Sequence, residues 1–266
     1  VKISNQQGQS RPLLRKALGQ HHLIRESACR PAVEFLAPAN RLVVEIGSGG
    51  GVLTRALLAS APRAVWAVEL DPSWALATAA ALRPAQLVVA DALAPPWQLL
   101  PEGSLVAGNL PYNVGTVIIE RLLLQPGWER AAFLLQLEVV QRLTARPGTK
   151  SYSALSVLVG ARAEARLLGR VAPGAFRPPP KVDSAFVGLI PRVVDPAALD
   201  PAFERLVKAA FQQRRKTLAN ALRGELSREH AAEVLRDAGI DPGSRAEQVP
   251  LEGWLALVAS ARAARI

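Results

Sequence analysis

Short apolar runs of strand length recur through the first half of the chain, with helically spaced apolar positions between them. Leu42-Val43-Val44-Glu45-Ile46 is apolar and β-branched, Gly47-Ser48-Gly49-Gly50-Gly51 follows at once, and residues 52–58 return to helical spacing. That order predicts strand, glycine turn, helix. A second strand, 64–68, ends in Glu69, a third, 86–90, ends in Asp91, and a fourth, 104–108, ends in Asn109. Residues 131–137 read as a fifth, fully buried strand, and 27–36 as a helix leading into the first. Alternation of strand and helix runs to about Ala145. Residues 167–171 and 185–190 read as two more strands, a hairpin-like pair closing the sheet. After Pro191 the pattern changes: Asp195-Pro196 and Asp200-Pro201 are linker and helix-start signals. Helices are expected over 203–211, 214–222, 228–238 and 251–264. The fold class is α/β, a Rossmann-like sheet over residues 1–192 with a small all-helical C-terminal domain over 193–266.

In open α/β sheets ligands bind at the carboxyl ends of the strands, and here four successive strand ends carry Gly47, Glu69, Asp91 and Asn109. Glycines let the backbone approach a ligand closely, and the helix start beyond them offers free N–H groups. Glu69 lies 22 residues past Gly47, the spacing at which an acidic side chain accepts hydrogen bonds from ribose hydroxyls. The turn departs from the G-x-G-x-x-G pattern, with Val52 at the position of the last glycine, which disfavours a dinucleotide oxidoreductase. Asn109-Leu110-Pro111-Tyr112 places an amide, a backbone carbonyl, a rigid proline and an aromatic ring together. The amide oxygen accepts from an amine, Pro111 stiffens the turn, and the Tyr112 ring offers a stacking face for a base.

Composition sharpens this picture. Half of the 266 residues are apolar, ample for a core, and the formal net charge is +10. Such a balance, dominated by arginine, implies an anionic partner, nucleic acid first; a base composition or heat adaptation favouring Arg, Ala and Pro supplies part of it. Cys29 is the single cysteine, so no intrachain disulfide forms and a reducing cytoplasm fits. His21, His22 and His230 with that one cysteine give no zinc spacing, so no catalytic metal is expected. Apolar stretches are too short or too interrupted to span a bilayer, and no membrane association is expected.

Glu45-Ile46-Gly47-Ser48-Gly49, Glu69, Asp91 and Asn109-Leu110-Pro111-Tyr112-Asn113 resemble the motifs of class I, S-adenosylmethionine-dependent RNA adenine N6-methyltransferases. Two branches share them: the KsgA/RsmA type, which dimethylates two adjacent adenines near the 3′ end of 16S rRNA in the 30S subunit, and the Erm type, which modifies 23S rRNA. The stretches 18–23, 175–184, 211–217, 239–242 and 245–247 are similar to the first branch. His21 and His22 stand where that branch has Asn and Phe, Ser48 where it has Pro, and Gly50 where it has an apolar residue. The resemblance implies S-adenosylmethionine as cofactor, bound by His21, Leu23, Gly47, Glu69, Asp91 and Asn109, with Glu69 on the ribose and Asp91 on the adenine amine. It implies catalysis by Asn109 and Leu110 as acceptors for the reacting amine, with Tyr112 and Phe176 holding the target base. Arg214, Arg215 and Lys216, near an expected helix start, are candidate RNA contacts. It also implies a role in small-subunit biogenesis; a monomer in the cytoplasm is expected. Two alternatives stand beside this reading: an Erm-type enzyme, or an assembly factor that binds RNA without chemistry.

Overall fold

The computed structural model describes residues 21–79, 82, 85–94, 100–226 and 228–264; Leu18, Gly19 and Gln20 of the N-terminal motif lie outside the described residues. Two compact units emerge. The first takes the described residues up to Gln136 with Leu168–Gly188, and the second takes Leu137–Leu167 with the described residues from Leu189 onward.

The strands are β1 (His22–Leu23), β2 (Leu42–Ile46), β3 (Ala64–Glu69), β4 (Gln86–Val89), β5 (Ser104–Asn109), β6 (Trp128–Gln136), β7 (Ala163–Val171), β8 (Phe176–Arg177) and β9 (Ser184–Pro191). Seven form one sheet in the order β4-β3-β2-β5-β6-β9-β7. The pairs β2–β3, β3–β4, β2–β5 and β5–β6 are parallel. Every residue of β2 is buried, as a strand covered on both faces requires. The chain steps outward from β2 to β3 and β4, then returns to β5 on the other side of β2. The strand order therefore reverses between β2 and β5, and a crevice opens at their carboxyl ends. The register sets Ile46 opposite Gly108. A Cβ on Gly108 would stand 2.7 Å from the Ile46 carbonyl oxygen, so this close approach needs glycine. The two end strands expected to pair, β9 and β7, are neighbours at one edge of the sheet.

Helices α1 (Arg30–Leu36), α2 (Val52–Leu58), α3 (Pro72–Ala79) and α4 (Gly115–Leu122) belong to the first unit. The helix expected over 27–36 opens as a 3-10 turn at Glu26–Cys29 before α1 begins. Leu23, Cys29, Leu36, Val43, Leu57, Leu105, Leu134, Phe176 and Phe186 share one buried cluster here. β6 starts at Trp128 and ends at Gln136, so Leu137, expected as the last strand residue, instead begins a helix. A short antiparallel pair went unforeseen: β1 sets His22 opposite Arg177 and Leu23 opposite Phe176. Two residues on each side carry no periodicity to detect.

The second unit is helical: α5 (Leu137–Leu143), α6 (Ala154–Gly160), α7 (Pro196–Leu199), α8 (Pro201–Gln212), α9 (Leu218–Ala221), α10 (Arg228–Asp237) and α11 (Leu251–Ala263). Asp195 and Asp200 cap α7 and α8 by accepting from Ala197 and Ala202 N–H at 2.8 Å, with a proline in each first turn. Caps of this kind contribute about 1 kcal/mol. Trp254, Phe203, Leu206, Val207 and Leu257 fill the core. The helix expected over 214–222 shrinks to α9. Gln213 leaves helical geometry at φ −113° and ψ 41°, and residues 213–216 form turns instead. Among the described residues no helix is long and apolar enough to cross a membrane.

Candidate active site

The crevice predicted by the strand order is lined by His21, His22, Leu23, Glu45, the 47–50 turn, Val52, Leu53, Glu69 and Asn109-Leu110-Pro111-Tyr112. Gly49 sits at φ +44°, and a Cβ there would meet His22 Nδ1 at 2.7 Å. Only glycine combines that conformation with that proximity. Glu69, at the end of β3, is 5 % exposed. Its Oε2 accepts from the Gly49 N–H at 2.8 Å and its Oε1 from the Asp71 N–H at 3.0 Å. One carboxylate thus ties the glycine turn to the β3 end, and each oxygen keeps a lone pair for another donor.

Asn109 ends β5, with its Nδ2 donating to the His21 carbonyl at 2.9 Å. A carbonyl only accepts, so the amide orientation is fixed and Oδ1 is the end turned to other donors. Tyr112 donates to or accepts from Ser184 Oγ at 2.7 Å, and burial raises its phenol pKa. The His21 ring stacks on Tyr112 with centroids 5.3 Å apart and planes 28° apart. His21 Nδ1 lies 2.9 Å from the Pro178 carbonyl, so that nitrogen carries a proton.

Two expected residues stand elsewhere. Phe176 is 3 % exposed, in the buried cluster of the first unit and outside the crevice lining. Asp91 is exposed, its Oδ1 accepting from the Leu93 N–H at 2.7 Å, and it too is outside the lining. Three polar residues of the lining were not singled out from the sequence as functional. Glu45 is buried on β2, which pushes its carboxyl pKa up to about 8, and Ser48 is 5 % exposed. His22 stacks on Trp74 with centroids 4.3 Å apart. Glu45 could have been found as a lone charge inside an otherwise apolar strand; His22 and Ser48 carried no such signal beyond their departure from the resembled motifs.

The lining suits an adenosine-bearing cofactor with an amino-acid tail. A glycine cradle that a Cβ would fill, a buried carboxylate with spare acceptor capacity, and buried unpartnered atoms on Glu45 and Ser48 form a wall that can bind hydroxyls and polar tail groups.

In the helical unit, Arg214 is engaged internally. It pairs with Glu247, and its guanidinium donates to the Lys150 carbonyl at 2.8 Å. Arg215 and Lys216 are exposed in the turn before α9.

The chain is 42 % identical over 262 residues to a ribosomal RNA small subunit methyltransferase A of Synechococcus sp. (strain JA-3-3Ab), covering 92 % of each. It is 44 % identical over 245 residues to the protein of that name from Acidithiobacillus ferrooxidans, covering 89 % of this chain and 90 % of that one. A dimethyladenosine transferase from Plasmodium falciparum shares the fold at a TM-score of 0.80 and 21 % identity, over 92 % of this chain and 99 % of that one. The 23S rRNA methyltransferase ErmE superposes at a TM-score of 0.68 with 27 % identity, over 90 % and 99 %. The family model described as ribosomal RNA adenine dimethylase matches residues 12–262, and the chain belongs to that family.

Proposed function

We propose that this chain, an S-adenosylmethionine-dependent rRNA adenine dimethyltransferase by family, dimethylates N6 of two adjacent adenines near the 3′ end of 16S rRNA in the 30S subunit. It acts in the cytoplasm as a monomer, during small-subunit biogenesis. Residues 1–192 hold the cofactor and residues 193–266 bind RNA. The observation that carries the reading is the Asn109 amide in the crevice lining, anchored through Nδ2 on the His21 carbonyl, which leaves Oδ1 as its free acceptor.

When bound, S-adenosylmethionine supplies an electrophilic methyl group on a sulfonium. His21, Leu23, Gly47, Glu69 and Asn109 of the lining would hold it, with Glu69 on the ribose, and Asp91, just past β4, would meet its adenine amine. The protein's task is then the nucleophile, since the adenine N6 lone pair is delocalised into the ring. Asn109 Oδ1 and the Leu110 carbonyl accept the N6 hydrogens. Those bonds strengthen as the nitrogen becomes tetrahedral and positive, so they stabilise the transition state more than the ground state. The proton then becomes acidic and leaves to water. Tyr112 stacks on the target base, which leaves its own helix or loop to reach the pocket. Phe176, buried on β8 opposite Leu23 of the lining, would support the base pocket from the core rather than stack on the base.

The test is transfer of labelled methyl to undermethylated 30S particles, mapped by mass spectrometry. Label on two adjacent adenines of 16S rRNA is the expected result; label on 23S rRNA, or none, would reject the reading.

RNA binding separates the three basic residues. Arg215→Ala and Lys216→Ala should each lower 30S affinity and reduce the slope of log affinity against log salt by about one, with stability within about 0.5 kcal/mol of wild type. Arg214→Ala should instead cost about 1 kcal/mol of stability, as its half-exposed ion pair and its backbone contact are lost. Filter binding at several salt concentrations and urea denaturation measure the two effects.

A further inference from the structure

Besides Glu45 Oε2, two polar atoms of residues lining the crevice are buried and lack a hydrogen-bond partner: His22 Nε2 and Ser48 Oγ. The state of the first is fixed by its other end. His22 Nδ1 lies 3.2 Å from the Gly50 N–H, which only donates, so Nδ1 holds a lone pair. Burial lowers the ring's pKa, with the neighbouring His21 adding to the effect, and the ring is neutral. Its single proton is therefore on Nε2. The ring itself cannot swing freely, being stacked on Trp74 and seated against Gly49.

A buried N–H donor and a buried hydroxyl without partners thus belong to residues that line the same crevice, and leaving such groups unpaired is costly. Among the described residues the crevice lining contains no lysine or arginine, so the donors these residues offer an anion are neutral ones. We propose that His22 Nε2–H and Ser48 Oγ–H bind the carboxylate at the amino-acid end of S-adenosylmethionine. The proposal rests on the cofactor reading of this crevice. The cofactor's one negatively charged group is that carboxylate, whereas its ribose hydroxyls are donors served by the acceptor-only Glu69. Neither Phe nor Pro, the residues expected from the resembled motifs at these positions, can donate from its side chain. The contacts are accordingly a property of this chain.

Equilibrium dialysis with two ligands tests the idea: S-adenosylhomocysteine, and 5′-methylthioadenosine, which keeps the nucleoside and lacks the carboxylate. His22→Phe retains a ring to stack on Trp74, and Ser48→Ala is a minimal change. Each should weaken S-adenosylhomocysteine about ten-fold, the effect of a lost hydrogen bond to a charged group, while 5′-methylthioadenosine affinity is unchanged. Equal losses for both ligands would assign the residues to shaping the loop and overturn the proposal, as would no loss for either. Failure of the wild-type protein to bind either ligand would overturn the cofactor reading itself, and the contacts with it.

Discussion

Replacing Asn109 by alanine should lower the single-turnover rate of methyl transfer by about 10²–10³-fold, the range for removing one preorganised group at a site of developing charge. S-adenosylhomocysteine binding should weaken by much less, about ten-fold, since Asn109 is one cofactor contact among several. The reason is geometric. Asn109 is the last residue of β5, whose hydrogen bonds fix the backbone, and its side chain is oriented by the His21 carbonyl. Alanine removes the acceptor and leaves the strand intact. Asn109→Asp is the sharper variant, because it keeps an acceptor of the same shape and loses the donor. One of its oxygens then faces the His21 carbonyl, so the side chain turns away or draws a proton. It should be slow as well, and less stable than Asn109→Ala. An Asn109→Ala enzyme that kept its rate would remove the amine-acceptor mechanism.

Glu69→Ala should act on both stability and ligand affinity. The carboxylate takes two buried backbone N–H groups, from Gly49 and Asp71. Each left unpaired costs about 1–3 kcal/mol, so the first unit should lose roughly 2–4 kcal/mol, allowing for water entering the gap. Cofactor affinity should fall at least about 100-fold, since the turn loses its anchor and, on the proposed role of Glu69, the ribose would lose its acceptor. Glu69→Gln retains one acceptor and turns an NH₂ towards the other N–H, so its stability should fall between the two. Denaturant melts and calorimetric titration with S-adenosylhomocysteine read both quantities. An alanine variant that melts and binds like wild type would show that the tie is unimportant.

How much of this was legible in the sequence varied with the length of the signal. Runs such as 42–46 and 104–108 are continuous and apolar because parallel strands are buried on both faces, so the central sheet was readable. Its strand ends put Gly47, Glu69 and Asn109 in one crevice, as their spacing implied. Asp91 and Phe176 followed the motif but not the observed lining, since a motif fixes residue order and says nothing of side-chain exposure. The 214–222 segment was misjudged because helical propensity does not register that Arg214 is held by Glu247 and the Lys150 carbonyl, which favours a turn. The β1–β8 pair was invisible, being a two-residue contact between segments about 150 residues apart.

The imidazole lying against Tyr112 has one more consequence. On the proposed role of Tyr112, a base arriving on the face that His21 covers would displace a smaller ring that already shields it. The gain on entry is then a difference between two stacks, well below the roughly 1–3 kcal/mol of a full base–aromatic stack. A bicyclic purine outmatches a five-membered ring by more overlap than a pyrimidine does. Such a swap would sort nucleobases by size before any amine is tested.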